Sequence, residues 1–213
     1  MSRPAHTRVE CTVTSGTFSL DGETFQVDNN VWVLGDDHEV VIIDAPHDVQ
    51  AILDLVGGRE VVAILATHAH DDHVRVAPRL AAATQAPVLL HPDDLPVWEL
   101  THPDRRPDGP LRDGQQLDVA GTSLRVLHTP GHAPGACCFH SAELGVLFSG
   151  DTLFAGGPGA TGRSFSDFPT IITSIEKKLL TLPPGTAVHT GHGPDTTIDA
   201  EAPHLQAWIA RGR

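Results

Sequence analysis

Apolar residues run along this chain in short blocks, and most blocks end at glycine, proline, aspartate or histidine. "FQVDNNVWVLGDDHEVVIIDAP" holds two such blocks. It predicts strands at residues 31–34 and 40–43, with a turn at residues 35–37 between them. "HDVQAILDLVGG" changes to helical spacing, with Asp48 near its start and Gly57 and Gly58 as its stop. "VVAIL" returns to a β-branched run, which reads as a buried strand. "DDHVRVAPRLAAAT" then predicts a helix capped by Asp71, and "PVLLH" a further strand. The order is β-α-β-α-β.

The second half repeats this rhythm without repeating the sequence. Residues 101–114, "THPDRRPDGPLRDG", read as a surface loop. "QLDVAGTSLRVLHT" predicts a hairpin turning at Ala120 and Gly121, and "ACCFH" with "GVLFSGD" a strand pair. "PTIITSIEKKLLTLPPG" is an amphipathic helix. Pro169 opens it, Ile171, Ile172, Ile175 and Leu179 share a face, and Gly185 follows it. "AVHTGHG" is a last short strand and "AEAPHLQAWIA" a terminal helix. Two facing sheets with helices outside would house this order, as one domain over residues 1–213.

Chemistry-bearing side chains gather where these blocks end. In "LATHAHDDHV" an apolar run gives way to His68, His70, Asp72 and His73 within six positions. Alternate residues of an extended segment share a side, so His68 and His70 can face one point. Where the chain turns into a helix, successive side chains diverge by about 100°, so Asp72 and His73 can address a second point. Imidazole and carboxylate suit zinc, iron or manganese. Three further candidates come after later strands: His132 in "HTPGHAPG", Asp151 in "FSGDTLF" and His192 in "TGHGP". Glycines there let the backbone turn sharply beside an ion.

Composition narrows the partners. The formal charge is −13, from 14 basic and 27 acidic residues, which excludes the basic footprint of a nucleic-acid binder. It also disfavours anionic membranes. No apolar run reaches the roughly 18 residues of a membrane helix. The stretch "MSRPAHTRVE" lacks an apolar core and reads as mature chain. Three cysteines, two of them adjacent (Cys137 and Cys138), do not make a disulfide framework. A soluble, cytoplasmic protein is expected, and a homo-oligomer is compatible with the chain.

"THAHDDH", "TPGHAPG", "SGDTLF" and "GHGP", in this order, resemble the motifs of the metallo-β-lactamase superfamily, and "IIDAP" resembles its earlier strand-end aspartate motif. The resemblance spans about residues 25–195. It implies an α/β fold of the αββα sandwich type, two facing mixed sheets with helices outside and metals at one edge. It implies that His68, His70 and His132 hold one cation and Asp72, His73 and His192 a second, with Asp151 bridging. Asp44 would fix the histidine loop through hydrogen bonds. Two divalent ions are implied, zinc first, with iron or manganese as alternatives.

"SGDTLFAGGPGATGR" most resembles the glyoxalase II group of thioester hydrolases, in its short single-domain type. The bridging position is Asp151, where two β-lactamase classes carry cysteine. The chain has no tyrosine, which argues against the tyrosine-assisted lactone hydrolases. It departs from the group at Asp71, where an aromatic is usual, and in "VRV" after His73, where glycines are usual. Only 21 residues come after His192, too few for the group's glutathione-gripping helical domain. The arginine-biased composition points toward mycothiol as the thiol.

The expected substrate is therefore a small-molecule thioester, hydroxyacyl- or formyl-glutathione or its mycothiol counterpart. A metal-bridging hydroxide would attack it, with Asp72 as a proton relay. The leaving thiolate has a pKa near 8–9 and needs no strong acid. Arg163 is expected either to order its loop or to meet a substrate carboxylate. The rival readings are a mononuclear iron persulfide dioxygenase using His68, His132 and Asp151, a lactonase, and an inactive binding module.

Overall fold

A computed structural model describes residues 7–212. Residues 1–6, which begin the stretch read as mature chain, lie outside the described residues. The first sheet has six strands in sequence order. They are β1 (Arg8–Leu20), β2 (Glu23–Gly35), β3 (Glu39–Ile43), β4 (Glu60–Leu65), β5 (Val88–Leu90) and β6 (Gly109–Pro110). β1 to β3 pair antiparallel and β3 to β6 pair parallel. Parallel neighbours need crossovers. Here these carry α1 (Val49–Val56), α2 (Asp71–Val74), α3 (Ala77–Thr84) and α4 (Leu95–Thr101).

The second sheet is also mixed. Its β7 (Gln116–Val119), β8 (Thr122–His128), β9 (Cys137–Ser141) and β10 (Val146–Gly150) form an antiparallel run. A two-stranded ribbon, β11 (Leu153–Phe154) and β12 (Gly157–Pro158), comes after β10. α5 (Phe168–Ser174) continues as a π-helical turn over Ile175–Leu179. β13 (Ala187–Thr190) then pairs parallel to β10, and β14 (Thr196–Thr197) edges the sheet. α6 (Ile198–Glu201) and α7 (Leu205–Arg211) close the chain.

The side-chain period of two along each strand builds the layers. On β2, Val31 and Val33 pack outward under the helices, while Trp32 and Leu34 face the other sheet. On β3, Val40 and Ile42 divide from Val41 and Ile43 in the same way. In the second sheet Phe139 and Phe148 point to the interior, and Cys138 and Leu147 pack with α5 and α7. Three apolar layers separate four structural ones, which is the αββα sandwich. Strands buried on both faces explain the unbroken apolar runs.

The structure corrects several expectations. It adds β1, and residues 31–34 are only the end of the longer β2. The helix expected from residue 71 onward is two, because Arg75 and Val76 break it before Pro78. Asp71 is not its cap: His70 occupies that position without a side-chain capping bond. The loop at 101–114 includes β6 and the fully buried Leu111, which add it to the first sheet. A 3₁₀ turn at Ala202–His204 interrupts the terminal helix. No helix among the described residues is long and apolar enough to cross a membrane.

Candidate metal centre

Strand ends from both sheets meet at one edge of the sandwich. β3 ends at Asp44, β4 at Thr67 to His70, β8 at the loop carrying His132, β10 at Asp151 and β13 at His192. His68 Nε2 and His132 Nε2 lie 3.0 and 3.1 Å from His70 Nδ1. His192 Nε2 lies 3.2 Å from His73 Nε2 and 3.3 Å from Asp72 Oδ2. Between these groups, Asp151 places Oδ1 3.3 Å from His73 Nε2, and Oδ2 3.4 Å from His192 Nε2 and 3.6 Å from His132 Nε2. All seven residues singled out from the sequence are thus together, in the two groups expected, with Asp151 facing both.

Hydrogen bonds behind the rings set their tautomers. Asp44 anchors this layer: Oδ1 accepts from Thr67 N at 2.7 Å, and Oδ2 from Thr67 Oγ1 and His73 Nδ1 at 2.8 Å each. Since Thr67 Oγ1 donates to Asp44, it accepts from His68 Nδ1 at 3.1 Å. His132 Nδ1 donates to Ala160 O at 2.8 Å and His192 Nδ1 to Asp28 O at 2.7 Å. Four rings therefore turn an Nε2 lone pair toward the centre. Asp44 adopts φ +65°, uncommon outside glycine, and this backbone turn brings its carboxylate to both loops.

Ring nitrogens and carboxylate oxygens converging this closely offer a ready place for a cation. Asp151 Oδ1 is buried without a hydrogen bond, although His73 Nε2 is near it. Glycines make room for Asp151: a Cβ on Gly191 would meet its carboxylate Oδ1 at 2.3 Å, and one on Gly159 would meet its backbone carbonyl O at 1.8 Å. The donor set is all imidazole and carboxylate, suited to first-row divalent ions. The residues fit a pair of them.

The field differs across the centre. Burial, then the neighbouring His132, lowers His70 to about 3, and burial with His73 holds His68 well below its ordinary value. Burial also acts to lower His192, but Asp151 and Asp72 outweigh it and raise the ring to about 10. His73 is raised for the same reason, against burial, by Asp151, Asp72 and Asp44. Burial acts to raise Asp72, yet His73, His192 and Asn29 bring it down to about 2.

Three supporting residues escape the sequence reading. Asn29 is fully buried against the second group, and His47 holds its amide oxygen at 2.8 Å. Asp94, also fully buried, accepts from Ala69 N at 2.7 Å and from Gly135 N, and so ties the His68–His70 loop to the His132 loop. Its burial raises it to about 6. Asparagine inside a strand is the one signal that points at Asn29. Asp94 precedes a helix and reads as an ordinary cap. His91, Asp93 and His128 also approach one another, but the two rings stack face to face at 3.9 Å. Their lone pairs lie in nearly parallel planes, and His128 Nε2 is bonded to Pro134 O.

The rim is built by the β1–β2 hairpin. Asp71 accepts from Ser19 N at 3.0 Å and pairs with Arg75, which reaches Thr17 O at 2.7 Å. The two departures at 71 and 75 are therefore one device that grips β1. It places the Phe18 ring 5.1 Å from His70. Arg163 pairs with Glu23 at 2.6 Å and stacks over Phe25 at 4.7 Å, which fastens its loop to the hairpin. Of its two expected roles, this geometry supplies the ordering one.

Residues 25–192 match the metallo-β-lactamase superfamily, and the chain belongs to that superfamily of metallo-hydrolases. A hydroxyacylglutathione hydrolase from Methylobacillus flagellatus is 34% identical over 169 residues, 78% of this chain and 62% of that protein. Among solved structures, BLEG-1, described as a B3 metallo-β-lactamase, matches at 31% identity and a TM-score of 0.75, over 90% of this chain and 98% of its own. TTHA1623 in a di-iron-bound form matches at 36% identity and a TM-score of 0.74, over 83% and 93%.

Proposed function

We propose that this protein is a binuclear hydrolase of thioesters of a low-molecular-weight thiol. The observation that carries the reading is Asp151, set between two complete three-residue groups. His68, His70 and His132 would hold one cation, Asp72, His73 and His192 the other, and Asp151 would touch both. Bound there, the pair would polarise a carbonyl and ionise a water at neutral pH.

The chain's own residues do the rest. Asp44, Thr67, Ala160 O and Asp28 O hold four of the five rings with Nε2 inward, which limits the reorganisation that binding would require. The Phe18 ring lies 5.1 Å from His70 and the Phe154 ring 6.2 Å from His192, so an apolar ring stands beside each group. No cysteine competes as a nucleophile at the centre. Cys137 and Cys138 are buried, and burial raises Cys138 to about 11. A thiolate is a good leaving group without a dedicated acid, so this reading asks no further residue to protonate it. The similar hydroxyacylglutathione hydrolase supports this substrate class, and the similar di-iron structure supports two metal positions.

The test pairs metal quantification with a substrate panel. The panel holds lactoyl- and formyl-thioesters of glutathione and mycothiol, a persulfide, a lactone and a β-lactam. Two first-row ions per chain with preference for a thioester is the expected result. Preference for the lactam or lactone, or one iron with oxygen uptake on the persulfide, overturns it.

A further inference from the structure

Asn29 lies on β2 beside the second group. Its Nδ2 is 3.1 Å from Asp72 Oδ2, 3.3 Å from His192 Nε2 and 3.4 Å from His73 Nε2. One amide group is thus nearly equidistant from all three atoms that would hold the second cation. Among the described residues, no side-chain amide is bonded in that way to His68, His70 and His132.

The orientation of that amide comes from His47. His47 Nε2 is 2.8 Å from Asn29 Oδ1, and His47 Nδ1 is buried without a partner. A buried N–H left without an acceptor costs more than a bare lone pair. The ring therefore carries its proton on Nε2 and donates to Asn29 Oδ1, and the NH2 of Asn29 faces the centre. There it can donate to Asp72 and cannot itself be a ligand. The ring's place is reserved by Gly16 on β1, where a Cβ would fall 2.3 Å from His47 Nδ1.

We propose that Asn29 is a positioning residue of the second cation site, with His47 as the group that orients it. Asn29 fixes the ligand carboxylate of Asp72 and closes one face of the three-ligand group. The inference rests on the reading that this group holds a cation. It assigns to Asn29 a selective effect on one of two sites.

The experiment titrates metal-free full-length protein with zinc against a chromophoric chelator, for wild type, Asn29→Ala, His47→Ala and His47→Gln. Each variant's melting temperature is recorded without metal. The expected result is that Asn29→Ala weakens the second equivalent by about 10–100-fold and leaves the first in place, the usual scale for groups that hold a ligand. His47→Ala shifts the second equivalent in the same direction, and His47→Gln, which retains an N–H donor, restores it. Equal weakening of both equivalents, or no weakening in Asn29→Ala, overturns the inference. A wild type that binds one equivalent instead overturns the two-cation reading on which it rests.

Discussion

His68, His70 and His132 are three imidazoles, each at most 8% exposed. Asp72, His73 and His192 include a carboxylate, and the His192 side chain is 25% exposed. In the first group burial, helped by the neighbouring rings, outweighs the pull of Asp151 and lowers all three imidazoles, which favours their neutral form. The second is crowded by Asp44, Asp72 and Asp151, which favour protonated rings. One edge of one sandwich therefore presents a preset neutral pocket and an anionic pocket that stores protons. A cation in the first group would meet neutral rings, and one in the second would compete with protons.

The largest effect should come from removing what the two groups share. Asp151→Ala is expected to lower kcat by about 10³-fold or more, several kcal/mol of electrostatic stabilisation at about 1.4 kcal/mol per decade. Steady-state kinetics with metal analysis of the same sample checks it. A variant that retains both ions and wild-type kcat would remove Asp151 from the centre.

Asp44→Asn comes next. It keeps an acceptor for Thr67 N and tolerates φ +65°, but sets an amide donor against His73 Nδ1. The second equivalent should weaken by about 10–100-fold. The first should weaken less, because Asp44 reaches His68 only through Thr67. Isothermal titration separates the two.

A pH series sharpens the electrostatic contrast. His192 is raised in the folded, metal-free protein, so its contribution to stability is present below its unfolded pKa of about 6.5. That contribution is lost as pH rises toward about 10. The metal-free melting temperature should fall over this window, and bound cations should abolish the fall. Calorimetry at pH 7 in buffers of different ionisation enthalpy should show proton release with the second equivalent only, since His73 and His192 are the raised rings.

The smallest effect is expected at the rim. Arg163→Ala breaks a partly exposed pair with Glu23 and a stack on Phe25. Such contacts contribute on the order of 1 kcal/mol or less. KM should rise with kcat nearly unchanged, because the loop and hairpin lose their fastening while both metal groups stay intact. An equal fall in kcat would show that the rim reaches the centre.

These contrasts are unequally legible in the sequence. The residues that converge at the centre stand out because three histidines and two aspartates within six positions have few other uses, and because each later candidate ends an apolar strand. The sandwich is legible in runs such as "VVII", which fit only a strand covered on both faces. β1 is hidden because its alternation of threonine, serine and valine is weakly apolar, although Asp21 and Gly22, both at positive φ, mark the hairpin turn. Asp71 reads as a cap because an aspartate before a helix usually is one. Its partner Arg75 and the strand they grip are a tertiary fact. Asn29, His47 and Asp94 act through folding that joins positions far apart in the chain, and single-residue chemistry does not announce that.

The most direct test is a stepwise metal titration of the metal-free chain, tracked by both metal content and hydrolysis of a lactoyl thioester. Two ions should bind per chain, with turnover completed only on the second and proton release confined to that step. Full turnover at one ion per chain, or no thioester hydrolysis with both in place, would contradict the account.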